Sequence, residues 1–198
     1  MIIAIIVFLV AILSGLFIYN RIAQSKMVSE FETRNSSIIN DLSTSVATRE
    51  IARHKEQVCN RDYPLSQQYC QVSESRMYAV TDAAVYQNDM STKLKKEGWR
   101  VDAAVRQPER FFSVPGGHSK TIAQTTVVRT ANDNKTGEAI PEIISIIISS
   151  KIPANTNGYI DGTRIPYSDT ISSEVMQEIV AGHSIVHFST YHTYTVWP

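Results

Sequence analysis

The sequence predicts an α+β protein: an N-terminal transmembrane helix extended by a long amphipathic helix, then a domain with a second helix and an antiparallel β-sheet. Three observations carry this expectation. Residues 1–19 contain no charged side chain, residues 21–58 contain neither proline nor glycine, and four runs rich in β-branched and aromatic residues follow Gly98.

The run Met1–Tyr19, MIIAIIVFLVAILSGLFIY, is predicted to be helical. At about 1.5 Å of rise per residue it reaches roughly the 30 Å of a bilayer core. Ser14 and Gly15 are compatible with such a helix, because the hydroxyl back-bonds to a carbonyl and small residues permit close helix approach. Tyr19 stands where an interfacial aromatic is expected, and Asn20-Arg21 closes the span. A cleaved signal peptide would need a basic leading region, a shorter apolar stretch and a small-x-small site. Here the apolar run starts at Met1 and is followed by Asn20-Arg21-Ile22-Ala23-Gln24, so a retained anchor is expected.

Residues 20–58 are expected to form an amphipathic helical stalk, and residues 59–198 one α+β domain, since the 198-residue chain leaves room for a single core. Along the stalk Val28, Phe31, Ile38, Leu42 and Val46 recur at helical spacing and form a candidate protein-contact stripe. Asn35 lies within it, and Ser36, Ser37, Ser43, Thr44, Ser45 and Thr48 flank it. A tight leucine-type coiled coil is therefore not expected; looser packing against the chain's own domain or against neighbouring copies is.

Cys59 and Cys70 bracket a polar segment with a turn-forming proline, and no third cysteine or histidine pair completes a zinc set. A disulfide is expected, contributing on the order of 2 to 3 kcal/mol by closing a short loop and persisting in an oxidising compartment. The competing reading is two separate buried thiols. Orientation divides the signals. Arg21, Lys26 and Arg34 after the span favour a cytoplasmic domain, whereas Glu30 and Glu32 dilute that bias. The paired cysteines favour an extracytoplasmic domain, periplasmic or at the cell surface, which is the localisation expected.

Val72 to Glu97 reads as the second helix, with Met77, Val80, Ala84 and Leu94 on a common side and Gly98 as its C-terminal stop. Strands are expected at Trp99–Val105, Thr121–Thr130, Glu142–Ser150 and Ser184–Trp197, and a short helix at Ser172–Ala181. Ile143–Ile148 is apolar on both faces except for Ser145, which predicts a central strand.

No constellation carries chemistry. His183 and His187 would share a strand face while His192 falls on the other, so three-histidine metal binding is not expected. Pro115-Gly116-Gly117-His118-Ser119-Lys120 and Asp161-Gly162-Thr163-Arg164 read as turns rather than as phosphate or calcium loops. Nucleophile-elbow and zinc-protease motifs are missing from the sequence, and the carboxylates are scattered. Neither enzyme activity, a cofactor nor a metal is expected. The net charge of zero gives no field that would favour nucleic acid. Asn35-Ser36-Ser37 and Asn134-Lys135-Thr136 match the glycosylation pattern.

An N-terminal apolar helix running without proline into an amphipathic one, followed by a disulfide-bearing domain with an antiparallel sheet, resembles the layout of type IV pilins and pseudopilins. The sequence departs from them in lacking a basic leader with glycine, and in carrying Ile5 where mature major pilins typically have Glu. Tyr19-Asn20-Arg21 after a start-adjacent apolar run also resembles LemA-type anchored proteins, which are helical throughout. The expected function is that of a non-enzymatic, single-pass membrane-anchored structural or assembly component of an envelope or surface complex. Its expected partners are the lipid bilayer and other envelope proteins or copies of itself. A pilin-like filament subunit is the first alternative and an anchored ligand-binding or enzymatic domain the second.

Overall fold

The computed structural model describes residues 2–43, 49–61, 68–102, 112, 121–132, 137, 139–149, 159–160, 163–164 and 182–196. Helix α1 runs unbroken over Ile2–Ser43, 42 residues, or about 63 Å at the α-helical rise. Strands β1 (Arg49–Arg61) and β2 (Gln68–Val80) follow, then helix α2 (Ala83–Lys96) and strands β3 (Arg100–Val101), β4 (Thr121–Asn132) and β5 (Ala139–Ser149). The short pair β6 (Tyr159–Ile160) and β7 (Thr163–Arg164) precedes the last strand, β8 (Ser184–Val196).

One six-stranded sheet, in the order β1-β2-β8-β5-β4-β3 with every neighbour antiparallel, organises the domain. The isoleucine-rich strand β5 is central, as its sequence predicts. Register puts the even residues of β2, β5 and β8 and the odd residues of β4 on one face, and α1 and α2 cover that face. The resulting core joins Ile38, Ile39 and Leu42 of α1, Tyr86, Met90 and Leu94 of α2, and Val127, Ile144, Ile146, Ile148, Val186 and Phe188 of the sheet.

Two expectations are corrected. The stalk does not stay helical to residue 58: α1 ends at Ser43 and Arg49–Arg61 is the edge strand β1. The second helix does not begin at Val72 either, because Gln68–Val80 is strand β2 and α2 starts at Ala83. Asp82 sets that start by accepting from the amides of Ala84 and Val85 at 2.9 and 3.0 Å. The predicted stop holds: Gly98 lies just beyond the C-cap Glu97 with φ of 76°, a conformation glycine adopts without a Cβ clash.

Of the strand expected at Trp99–Val105, Arg100–Val101 pairs with β4 and residues 103–105 lie outside the described residues. The predicted strands at Thr121–Thr130, Glu142–Ser150 and Ser184–Trp197 coincide with β4, β5 and β8 within a few residues at their ends. The expected helix at 172–181 and the turns at 115–120 and 161–162 lie outside the described residues.

Candidate functional site

Helix α1 has two unlike halves. From Met27 onward it lies along β2 and β8, advancing from Phe31 beside Tyr194 to Asn40 beside Arg76. Asn35 meets Val72 and, further along, Asn40 meets Arg76, so α1 and β2 run side by side in the same direction. Before Gln24 every described side chain of the helix is exposed. Phe8 is 66% exposed, Phe17 62% and Ile22 52%.

The predicted stripe lands on the chain's own sheet. Ile38 and Leu42 belong to the main core, while Val28 and Phe31 pack against a second cluster of Cys70, Val72 and Tyr194. Phe31 stacks on His192 with ring centroids 5.0 Å apart. Val46 lies outside the described residues. Cys59 and Cys70 face each other across β1 and β2 and are bonded, with Cα atoms 4.0 Å apart.

Beneath the helix runs a buried polar seam that sequence reasoning missed. The Asn35 amide donates to the Val72 carbonyl at 3.1 Å, and its Oδ1 lies 2.8 Å from His192 Nδ1. That pairing fits a neutral histidine donating from Nδ1. Burial, with the Arg34 charge nearby as a smaller cause, lowers the His192 pKa to about 4. Further along, Ser36 Oγ donates to Glu74 at 2.5 Å, and Arg76 donates to Glu74 at 2.6 Å and to Asn40 at 2.5 Å. Glu74 and Arg76 are both buried, with Lys55 and Arg53 completing the shell at 3.7 and 3.9 Å. Burial works against the Arg76 charge, but its hydrogen bonds to Glu74 and Tyr78 outweigh it and the pKa is raised. One signal was available in the sequence: an asparagine inside an apolar helical stripe requires a buried partner.

His187 and His192 fall on opposite sheet faces, as strand alternation requires. Burial lowers the His187 pKa to about 4 as well. Among the described residues no group of three or more His, Cys, Asp and Glu side chains could hold a metal ion. A groove of about 480 Å³ opens between α1 and β4–β5, with Glu30, Arg34, Arg129 and Glu142 in its lining. One of its cations is matched internally: Arg129 donates to Glu142 at 2.6 Å and lies 4.4 Å over the Trp99 ring. The glycosylation pattern at Asn35 is closed in the folded protein, because that side chain is fully buried and its amide is engaged. Asn134 lies outside the described residues.

Among the described residues no helix is long and apolar enough to cross a membrane; the side chains of residues 1–7, 9, 10, 13 and 16 lie outside that set. No protein-family model, curated protein or solved structure matches the chain.

Proposed function

We propose that the chain is a non-enzymatic, single-pass membrane-anchored component of an envelope or surface assembly. In this reading residues 1–19 cross the bilayer and the second half of α1 holds the α+β domain at its surface. The observation that carries the reading is the apolar exposure confined to the first half of α1. Phe8, Ile12, Phe17 and Ile18 are left uncovered by their own chain, and residues 1–19 contain no charge. Each such side chain costs about 1.5 to 3 kcal/mol to leave in water rather than bury, so a bilayer or apolar partner is required. Arg21, 5.3 Å from the Phe17 ring, supplies the charged boundary.

The disulfide supports an oxidising, extracytoplasmic side for the domain. Because Ile38 and Leu42 are buried and Val28 and Phe31 pack on the sheet, contacts with other envelope proteins fall to surfaces other than the stripe.

Vesicle flotation tests the anchor. The full chain is expected to float with liposomes, whereas the chain lacking residues 1–19 stays at the bottom of the gradient with its disulfide intact. Flotation of the truncated, folded chain would defeat a single anchor at this position.

The two-part helix also supports a second reading, a pilin-like filament subunit in which the bare half packs against copies rather than lipid. A single cysteine introduced at Phe17 separates the two. Ladders of crosslinked multimers from detergent-free filaments favour the second reading, and monomers in vesicles favour the first.

A further inference from the structure

The six-stranded sheet forks. β2 and β8 stay paired as far as Gln68 opposite Val196, and β4 and β5 as far as Asn132 opposite Ala139. Between those two ribbons, β5 and β8 pair only from Ser149 opposite Ile185 to Ile144 opposite Thr190. At the apex of the fork Thr190 Oγ donates to the Ile143 carbonyl at 2.7 Å. Beyond it two strand edges border the gap, Ala139–Ile143 of β5 and Tyr191–Val196 of β8.

Strand alternation decides which backbone groups line that gap. Pro141 has no N–H and stands opposite Thr130, so this is a non-hydrogen-bonded position of the β4 ladder and the odd residues of β5 turn their backbone groups toward β8. The pairing of Ser145 with Ser189 then turns the odd residues of β8 toward β5. The N–H and C=O groups of Thr193 and Thr195 therefore point into the gap, while those of His192 and Tyr194 serve β2. Both threonines are exposed, and among the described residues nothing pairs with them on that side.

The open edges differ in how they resist a further strand. On the β5 side Pro141 lacks the donor that an added strand would need. The long outer edge, β1, carries exposed Arg53, Lys55 and Glu56 and a bulge between Glu50 and Ala52. From Tyr191 to Val196, β8 has no proline, no Lys, Arg, Asp or Glu, and mainly aromatic and β-branched residues. On the helix side, Glu142 of the gap also lines the groove of about 480 Å³, where Glu30, Arg34, Arg129 and Glu142 sum to zero charge beside the hydroxyls of Thr33 and Ser37. On the other face the gap is bordered by the side chains of Tyr191 and Ile143.

We propose that the open edge of β8 is a docking site for an extended segment of a second polypeptide, which adds to the sheet between β8 and β5 through the backbone of Thr193 and Thr195. Unpaired strand donors and acceptors are matched in spacing by another backbone in the β conformation. The segment's alternate side chains face the groove and the outer face. It is therefore a segment with small, uncharged polar residues turned toward Thr33 and Ser37 and apolar residues turned out beside Tyr191 and Ile143. Only the identification of its owner as an envelope protein rests on the assembly reading above.

The test uses the full chain in detergent, with its disulfide intact, and a capped peptide of alternating valine and serine flanked by lysines. Amide hydrogen exchange is followed residue by residue by nuclear magnetic resonance. In the free chain the amides of Thr193 and Thr195 are expected to exchange freely, and those of His192 and Tyr194 slowly. The peptide at millimolar concentration is expected to slow Thr193 and Thr195 by about tenfold or more. The same peptide N-methylated at every residue should leave them unchanged. Thr193→Pro, which gives β8 the guard that β5 carries and spares the β2 ladder, should abolish the slowing at Thr195. Thr193→Lys, an edge charge, supplies the same comparison should the proline disturb the fold.

No slowing by the peptide overturns the site, as does slowing that persists in both variants. Protection of Thr193 and Thr195 in the free chain also overturns it, assigning the edge to a second copy if it rises with protein concentration and to the chain's own residues if it does not. Each of these results leaves the flotation of the anchor untouched, and a chain that fails to float loses the anchored reading while the edge still stands.

Discussion

The two halves of α1 form one continuous helix and yet differ in what covers them. Residues 28–42 bury an apolar stripe against the sheet and interrupt it with Asn35, which has a dedicated partner on each of two strands. Phe8, Ile12, Phe17, Ile18 and Ile22 are apolar side chains of the same kinds with no cover from their own chain. Helix formation therefore says little about what a helix faces; the difference lies in whether polar residues are placed to meet a specific surface. In the packed half buried polar groups meet specific partners, and the seam answers Asn35, Glu74 and Arg76. In the bare half only apolarity is required.

Truncating each half with the same kind of substitution should break the symmetry most sharply. Leu42→Ala, at a site with no solvent exposure, is expected to cost about 3 to 4 kcal/mol of domain stability through a cavity. Phe17→Ala should change domain stability by no more than about 0.5 kcal/mol. Denaturant unfolding of the detergent-solubilised protein, followed by near-ultraviolet circular dichroism, measures both. Comparable losses at the two sites would show that the halves are not separate.

Acidification should act on the packed half alone. His192 has a folded pKa of about 4, below the ordinary unfolded value of about 6.5. Between those values the unfolded chain binds the additional proton, so this stabilisation is complete above about pH 6.5 and is lost as pH falls toward 4. The loss is on the order of 2 to 3 kcal/mol for this residue. His187 adds a loss of the same sign. His192→Gln should flatten that part of the stability–pH curve, and an unchanged slope would detach His192 from the seam.

Asn35 offers a finer comparison. Asn35→Ala strands the Val72 carbonyl and the His192 ring nitrogen and is expected to cost about 2 kcal/mol. Asn35→Ala together with His192→Phe removes one side of the mismatch and should recover part of it. A double-mutant cycle with no coupling would mean that the two side chains do not act as a unit.

Legibility in the sequence followed the same division. Strands β4, β5 and β8 were readable because their inward residues, among them Val127, Ile144, Ile146, Val186 and Phe188, are apolar, β5 being apolar on its other face as well. Strands β1 and β2 were not. Their inward positions include Glu50, Arg53, Lys55, Glu74 and Arg76, which erase the alternation and are good helix formers in isolation. The charges that misled the reading are those that satisfy one another under α1. The stripe on α1 was legible as an apolar face, but its own sheet as the surface beneath it was not, because the partner positions in β2 and β8 lie roughly 40 to 160 residues away in sequence, as the spacings of 37 and 157 from Asn35 illustrate.

The absence of a break in α1 has a mechanical consequence. With the anchor in a bilayer, the helix acts as a stiff lever whose fulcrum lies at Tyr19, and Ser43 sits about 36 Å from it. A tilt of about 20°, an ordinary response to a change in bilayer thickness, would sweep Ser43 sideways by roughly 12 Å. The sheet, fastened to the same shaft through Asn35 and Ser36, would move with it, so the position of the domain becomes a readout of membrane thickness.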